Sequence, residues 1–296
     1  MPYSEQLEAF FGIPSGASFP QMLACALYDV LAKIPVNVVY GPFDSSERDM
    51  ARLLYRDLGD NDLLLLDRGY PSFELLSEML SMGFQFMVRL PATGLFKEVR
   101  AFLDKGCRDG VLTIHPPASL VAEIKKHGDP IPHPISLRVI KIRLSDGKDA
   151  VFITTLLDKA KYSVAQLKDL YHLRWEEEEF FKLTKELLEA ENFRGKCRLL
   201  IGQELMAIHL YCLLTRILIM ECALSKQIPL DRIPQRTAFL AVSRYLDRIW
   251  TSQDLDECQQ LILLCLEEIA WRRYKARPDR SFPRKSKSCY GKWGRK

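Results

Sequence analysis
DLLLLDRGYPS, residues 62–72, sets four consecutive leucines against an aspartate and a Gly-Tyr-Pro turn. Four leucines are too few for a helix. A strand apolar on both faces belongs inside a parallel sheet, with helices covering it on either side. The neighbouring segments carry the same pattern. Upstream, DSSERDMARLLYRDLG (44–59) predicts a helix opened by Asp44, with Glu47 three residues on, and stopped at Gly59. Before it, QMLACALYDVLAKIPVNVVYGPF (21–43) is β-branched, apolar and broken by Pro35, which predicts two strands. Downstream, residues 72–82 are helical in pattern and FQFMVRL (84–90) predicts another strand. Strands and helices in this order predict an α/β sheet with right-handed crossovers.

Beyond Pro91 the texture changes. VLTIH (111–115), ISLRVIKIRL (135–144) and SDGKDAVFITTLL (145–157), with Asp146-Gly147 as a hairpin turn, predict an inserted β-rich subdomain over 91–158. Helical periodicity returns near Ser163 and recurs over 199–224 and 235–270, with no internal repeat. The chain therefore reads as a core in two parts, 1–90 and 159–225, around the insertion 91–158. A helical region, 226–271, and a basic tail, 272–296, follow. Residues 199–224 are strongly apolar but interrupted by Gln203, Glu204, His209, Arg216 and Glu221, so a buried core helix is expected rather than a membrane span.

Composition narrows the function classes. At 296 residues, 48% hydrophobic and 27% charged, the chain has enough apolar content for a sizeable core. Its eight cysteines form no C-x-x-C pair, which argues for free thiols in a reducing compartment and against a zinc site. The N-terminus lacks the basic start and apolar stretch of a secretory signal, so a cytoplasmic location is expected. Charge is unevenly spread. The tail 272–296 holds eleven Lys/Arg and one Asp, net +10, which leaves −6 over 1–271. With Tyr274, Phe282, Tyr290 and Trp293 interleaved, that tail suits phosphate contact and base stacking. A solubilising tail is the alternative.

Chemistry concentrates in YHLRWEEEEFFKLTK, residues 171–185. On a helical wheel Tyr171, Arg174, Glu178 and Lys185 share a stripe about 60° wide, while Glu176 and Glu179 point elsewhere. Glu177 falls on the apolar side, at the rim of the core. An exposed ion pair on a helix contributes only about 0.2–0.5 kcal/mol, so a solvated face does not need this stripe. A phosphodiester site does, because a carboxylate holds a hard cation while Arg, Lys and a phenol hold phosphate oxygens. A plain solvated charge run remains the alternative. Asp67, ending an all-leucine strand, must point out of the sheet, and the carboxyl end of a parallel strand is where open α/β sheets place ligands. The competing role for Asp67 is that of a turn former before Gly69.

Together, DRGY (67–70) and the Y-x2-R-x3-E-x6-K spacing of Tyr171, Arg174, Glu178 and Lys185 resemble the DDE transposases of bacterial insertion sequences, specifically the insertion sequence 4 family with its YREK signature. SERDMARLLYRDL (46–58), MVRLP (87–91), ENFRGK (191–196), QEL (203–205) and the SFPRKSK tail extend the resemblance over most of the chain. It implies a ribonuclease-H-like mixed sheet flanked by helices, with the inserted β domain and a helical C-terminal region. It also implies a DNA nuclease and strand transferase in which two aspartates and a glutamate hold two divalent cations, Mg2+ or Mn2+. By position, Asp67 resembles the second aspartate and Glu178 the glutamate, both catalytic and metal-binding. Tyr171, Arg174 and Lys185 resemble the DNA-binding contacts. The implied partners are double-stranded DNA, at element ends and target, and a second copy of the chain on that DNA, with no membrane. The implied setting is the bacterial cytoplasm, associated with the nucleoid. One departure stands out. The family's first aspartate precedes a segment resembling EAFFGIPSG, which here begins seven residues after Met1. Asp29 and Asp44 do not align with it. The expectation is an N-terminally truncated copy lacking the central strand, between those at 21–30 and 62–67, and lacking appreciable activity. A DNA-binding inhibitory fragment or a non-functional relic are the alternatives. At Glu177 the resemblance leads one to expect an aliphatic residue.

Overall fold
The computed structural model describes residues 1–59, 61–143 and 147–274. The chain divides into two compact units, Met1–Leu213 and Leu214 onward, and the division falls within one long helix.

In the first unit, α1 (Glu5–Phe11) is capped by Ser4, whose hydroxyl accepts from the Leu7 amide. The two strands expected over 21–43 form an antiparallel hairpin, β1 (Met22–Asp29) and β2 (Ile34–Pro42), with a register shift between Leu27 and Tyr28. This hairpin is a sheet of its own. The next helix, α2 (Glu47–Leu54), packs Met50 and Leu54 against Cys25, with Leu23, Leu27 and Val39 around them. Its N-cap is Ser46, accepting from the Asp49 amide, and not Asp44. It passes at Tyr55 into a single 3-10 turn, well before Gly59. A hydroxyl two residues nearer the first turn captures the free amide that the Asp44–Glu47 pattern had suggested for the aspartate.

The four leucines form β3 (Leu63–Leu66), which joins β4 (Gln85–Leu90) in parallel through the crossover helix α3 (Phe73–Ser81). Three further strands, β5 (Asp109–Ile114), β6 (Ile135–Arg143) and β7 (Asp149–Thr154), extend the same sheet in the order β3-β4-β7-β6-β5. All contacts but β3–β4 are antiparallel. Side chains alternate along β4: Phe86 and Val88 enter a core with Leu75, Leu76 and Met79 of α3, while Met87 enters a second core on the opposite face. Residues 91–158 also hold two helices that the sequence reading missed, α4 (Lys97–Asp104) and α5 (Ala118–His127). The first packs Val99, Phe102 and Leu103 and the second Leu120 and Ile124 against the core that α3 covers; both are short and lie among strands and prolines, which drew the reading toward β structure.

The second core is closed by α6 (Val164–His172), which brings Leu167 and Tyr171 onto Met87, Ile140 and Phe152. A capping box between Ser163 and Gln166 starts this helix. Then α7 (Trp175–Leu187) and α8 (Arg198–Ser225) follow. The helix α8 is long and apolar enough to cross a membrane by length and composition alone, with 28% of its most apolar window buried. Ile201 and Leu205 pack with Leu7, Phe11 and Phe193. The reading as a core helix therefore holds for one face. Leu199, Met206 and Leu210 are exposed, because a helix apolar on all sides cannot bury every side against one layer.

In the second unit α9 (Gln235–Thr251) and α10 (Leu255–Trp271) bury Phe239 and Val242 of one helix and Leu261, Cys265 and Ile269 of the other. Glu268 is held by both Arg244 and Arg272. The basic tail lies outside the described residues except for Arg272 to Tyr274, as does Asp146 of the expected Asp146-Gly147 turn. The fold class is α/β, with a mixed five-stranded sheet flanked by helices.

Candidate functional site
Asp67 stands immediately after β3, where the strand leaves the sheet. Its carboxylate accepts the Arg68 amide at 2.7 Å, and its carbonyl accepts the Tyr70 amide at 3.2 Å, which closes the turn that leads to α3. Arg48 of α2 donates to the Gly69 carbonyl at 3.2 Å and holds the same turn from the other side. The turn-forming role and an outward carboxylate therefore coexist in one residue.

The helical stretch 164–187 is not one regular helix. At Leu173 and Arg174 the backbone tightens: the amides of Leu173, Arg174, Glu176 and Glu177 each bond to the carbonyl three residues back. Each such residue turns about 120° instead of 100°, so everything after the break is advanced by roughly 40° on a uniform wheel. Tyr171 packs into the core that α6 closes. Its ring is buried edge-on against Phe152, with centroids 4.7 Å apart, and its hydroxyl donates to the Leu66 carbonyl at 3.1 Å, one residue from Asp67. Burial pushes the phenol's pKa up.

Arg174 is at the centre of the cluster. Its Nη2 meets Glu178 Oε1 at 2.5 Å, Nη1 lies 3.9 Å from Glu177 Oε2, and the guanidinium sits 5.9 Å above the Tyr171 ring. Its Nε is buried without a hydrogen-bond partner among the described residues. The arginine side chain is only 11% exposed, whereas that of Glu178 is 45% exposed.

The four glutamates have four different surroundings. Glu176 binds Lys33 at 2.8 Å, which ties α7 to the β1–β2 turn, and Glu179 pairs loosely with Lys182. Glu178 holds Arg174. Glu177 instead lines a cleft of about 380 Å³ together with Asp67, Arg174, Tyr70 and the strands β1 and β3. Burial pushes the Glu177 carboxyl above its usual range against the pull of Arg174, and the negative charges of Glu178, Asp67 and Glu47 add to the rise. The uniform wheel set Glu177 on the apolar side at the rim of the core, and its place in the lining of this largely apolar cleft agrees with that. Lys185 lies two turns on, paired with Glu191 at 2.9 Å; Arg174 thus meets Glu178 and shares the cleft lining with Asp67, and Lys185 is engaged elsewhere. Asp29, at the far end of β1, is occupied as a turn former, its Oδ1 accepting the amides of Leu31 and Ala32 at 2.8 Å each.

As donors for a hard cation, Asp67 and Glu178 are chemically suited. The set is short, however. Among the described residues no group of three His, Cys, Asp or Glu side chains is placed to hold a metal ion, and Glu178 already neutralises Arg174. The residues present do not make a complete divalent-cation site.

Comparison with known proteins gives two matches. Residues 3–214 match the family model of the transposase DDE domain. The transposase InsG for insertion sequence element IS4 of Escherichia coli (strain K12) is 26% identical over 196 residues, which cover 65% of this chain and 42% of that protein. The chain thus spans about two-fifths of the length of the curated relative it matches.

Proposed function
Because the chain belongs to the DDE-domain transposase family, we propose that it acts on the double-stranded DNA of an insertion sequence, as a homodimer, in reactions that cut and rejoin phosphodiester bonds. Asp67 and Glu178 would be this chain's two carboxylates toward a divalent cation, Mg2+ or Mn2+, which would supply Lewis-acid chemistry once the set is completed, while Tyr171, Arg174 and Lys185 would serve the DNA. The observation that carries this reading is a shared wall: a carboxylate at the exit of β3 lines the same cleft as Arg174, which is bound to Glu178.

The residues suggest distinct tasks. Arg174 offers a planar, always charged fork that matches phosphate oxygens, so an arriving DNA phosphate competes with Glu178 for it and releases that carboxylate. Tyr171, through Leu66, fixes the strand end that presents Asp67. Lys185, half-exposed and paired only on the surface, changes partner at little cost.

The test is a mobility-shift and nicking assay on duplex DNA with the wild type and with Asp67→Asn, Glu178→Gln, Arg174→Gln and Lys185→Gln. Loss of one phosphate contact should weaken DNA binding about tenfold for Arg174→Gln, and less for Lys185→Gln. Equal affinity for wild type and both variants would remove these residues from the DNA interface. Strong nicking that survives Asp67→Asn and Glu178→Gln would show that the carboxylates are wrongly assigned.

A further inference from the structure
The exposed side of α8 is apolar. A helix that lies against one layer normally turns charged and polar residues to water. Here Leu210 and Ile217 stand out at 49% and 59% exposure, and Leu199 and Leu224, near the two ends, are more exposed still. The outward residues follow one another in alternating steps of four and three. With Gln203 as position a of a heptad, Leu210, Ile217 and Leu224 occupy the later a positions. Leu199, Met206, Leu213 and Met220 fall on d. None of these eight positions is charged, and Glu204, Arg216 and Glu221 of the same helix all lie off the row.

The chain covers the other side of this helix itself. In the first unit Ile201 and Leu205, at f and c, pack with Leu7, Phe11 and Phe193. In the second, Ile219 and Cys222, again at c and f, are fully buried, and the Cys222 thiol donates to the Leu266 carbonyl at 3.5 Å. Along the a/d row only Leu213 is half-buried, and the rest are exposed.

An a/d repeat sustained over several heptads fits one kind of partner, a second helix with the same repeat, whose side chains enter the holes between these. A repeat of 3.5 residues drifts about 20° per heptad on a straight helix, so two such helices keep their rows together by coiling left-handed. A second α8 carries the matching row by identity. Gln203 decides the direction. With the helices parallel and in register Gln203 meets Gln203, and each amide offers the other a donor and an acceptor. In the antiparallel pair, with Leu199 over Leu224, it would meet Met220 and lose both.

We infer that the open a/d side of α8 is an interface with a second copy of this chain, in which the two helices pair parallel and in register. The homodimer proposed above thereby gains an interface, but this pairing needs no DNA, and a dimer formed only on DNA would overturn it while leaving the DNA reading intact. A lipid bilayer is the other destination for so apolar a helix, and it would explain neither the heptad spacing nor the amide of Gln203 in the row.

The test is sedimentation of the whole chain without DNA, with circular dichroism melts to confirm that each variant folds. The wild type should sediment as a dimer. Leu210→Lys should weaken the dimer at least about a hundredfold, because two like charges then face each other across an apolar contact. Leu263→Lys, comparably exposed on α10 but outside the row, should leave it unchanged. Under air oxidation Leu224→Cys should give a disulfide between the two copies of residue 224, which an antiparallel pair would hold at opposite ends. A monomeric wild type, a dimer that Leu210→Lys leaves intact, or a dimer in which Leu224→Cys does not cross-link would each overturn the interface. So would flotation of the wild type with phosphatidylcholine vesicles in place of self-association.

Discussion
Replacing Asp109 with Asn tests what holds α6 in position. The side chain of Arg138 lies in the middle of the sheet at 1% exposure and is met by Asp109 in a two-pronged pair, Nε to Oδ1 and Nη2 to Oδ2, both 2.9 Å. Its Nη1 donates to the Tyr162 carbonyl at 2.7 Å, just before the Ser163 cap, so one guanidinium fastens β5 and β6 to the entry of α6. Asparagine keeps the shape and one acceptor but leaves a buried cation without its counter-charge. Breaking a buried pair from one side costs about 3–5 kcal/mol. Asp109 is one-quarter exposed and water partly replaces it, so about 2–3 kcal/mol is expected here. For a unit of this size that corresponds to a fall in Tm of roughly 5–10 °C. The sign with pH follows from the Arg138 guanidinium, which holds the Asp109 carboxyl below its usual 3.8. The carboxylate's contribution is fully present above that usual value and is lost as pH falls through the depressed one. Thermal or urea unfolding of the wild type and Asp109→Asn, from pH 7 down to the acid limit of folding, should show a gap that is constant to about pH 4 and narrows below. A gap under about 1 kcal/mol at pH 7 would mean that the pair does not hold this corner of the fold. The double variant Asp109→Leu/Arg138→Met should recover part of the loss, since the cost lies in the stranded charge.

Close packing gives a second test. A Cβ on Gly202 would lie 2.3 Å from the Tyr40 hydroxyl, so Gly202→Ala should destabilise by about 1–3 kcal/mol in urea unfolding, and Tyr40→Phe in the same chain should return part of it. Ser163→Ala removes the capping box of α6 and should cost about 1 kcal/mol by the same measurement, with no change in the dependence on pH. If the basic segment 272–296 supplies the phosphate contacts, the DNA affinity of the full chain should fall steeply between 50 and 200 mM salt by fluorescence anisotropy, and deletion of that segment should flatten the slope; an affinity that ignores salt would exclude the mechanism.

Some of this architecture could be read from the sequence because it is local. The four leucines of β3 announced a strand covered on both faces; two strands were also legible over 21–43, but the break between them falls at residues 30–33, and Pro35, expected to mark it, lies inside β2 opposite Tyr28. The pairing of β5, β6 and β7 with β4 depends on contacts far apart in sequence, so strand character at 109–154 could not show that these strands continue the first sheet. Helix α4 holds only eight residues, so its Val99, Phe102 and Leu103 face was passed over in a stretch read for its strands and prolines. At the site, the choice of Arg174 and Glu178 rested on a spacing of four residues, which a tight turn barely disturbs, and they meet at 2.5 Å. The burial of Tyr171 was not legible, because its partners, the Phe152 ring and the Leu66 carbonyl, lie far away in sequence.

That tight turn has a mechanical meaning. On one side of it α6 is fastened to the five-stranded sheet through Tyr171 and the Leu66 carbonyl. On the other, α7 is fastened to the hairpin by Lys33 with Glu176 and by Tyr28 stacked on Phe180, ring centroids 5.0 Å apart. Along this wall the two sheets are therefore arms of a caliper whose joint is Leu173 and Arg174, and the gap between the arms is the cleft itself. Arg174 sits at that joint, so the angle between α6 and α7 and the aim of its guanidinium depend on the same short stretch of backbone.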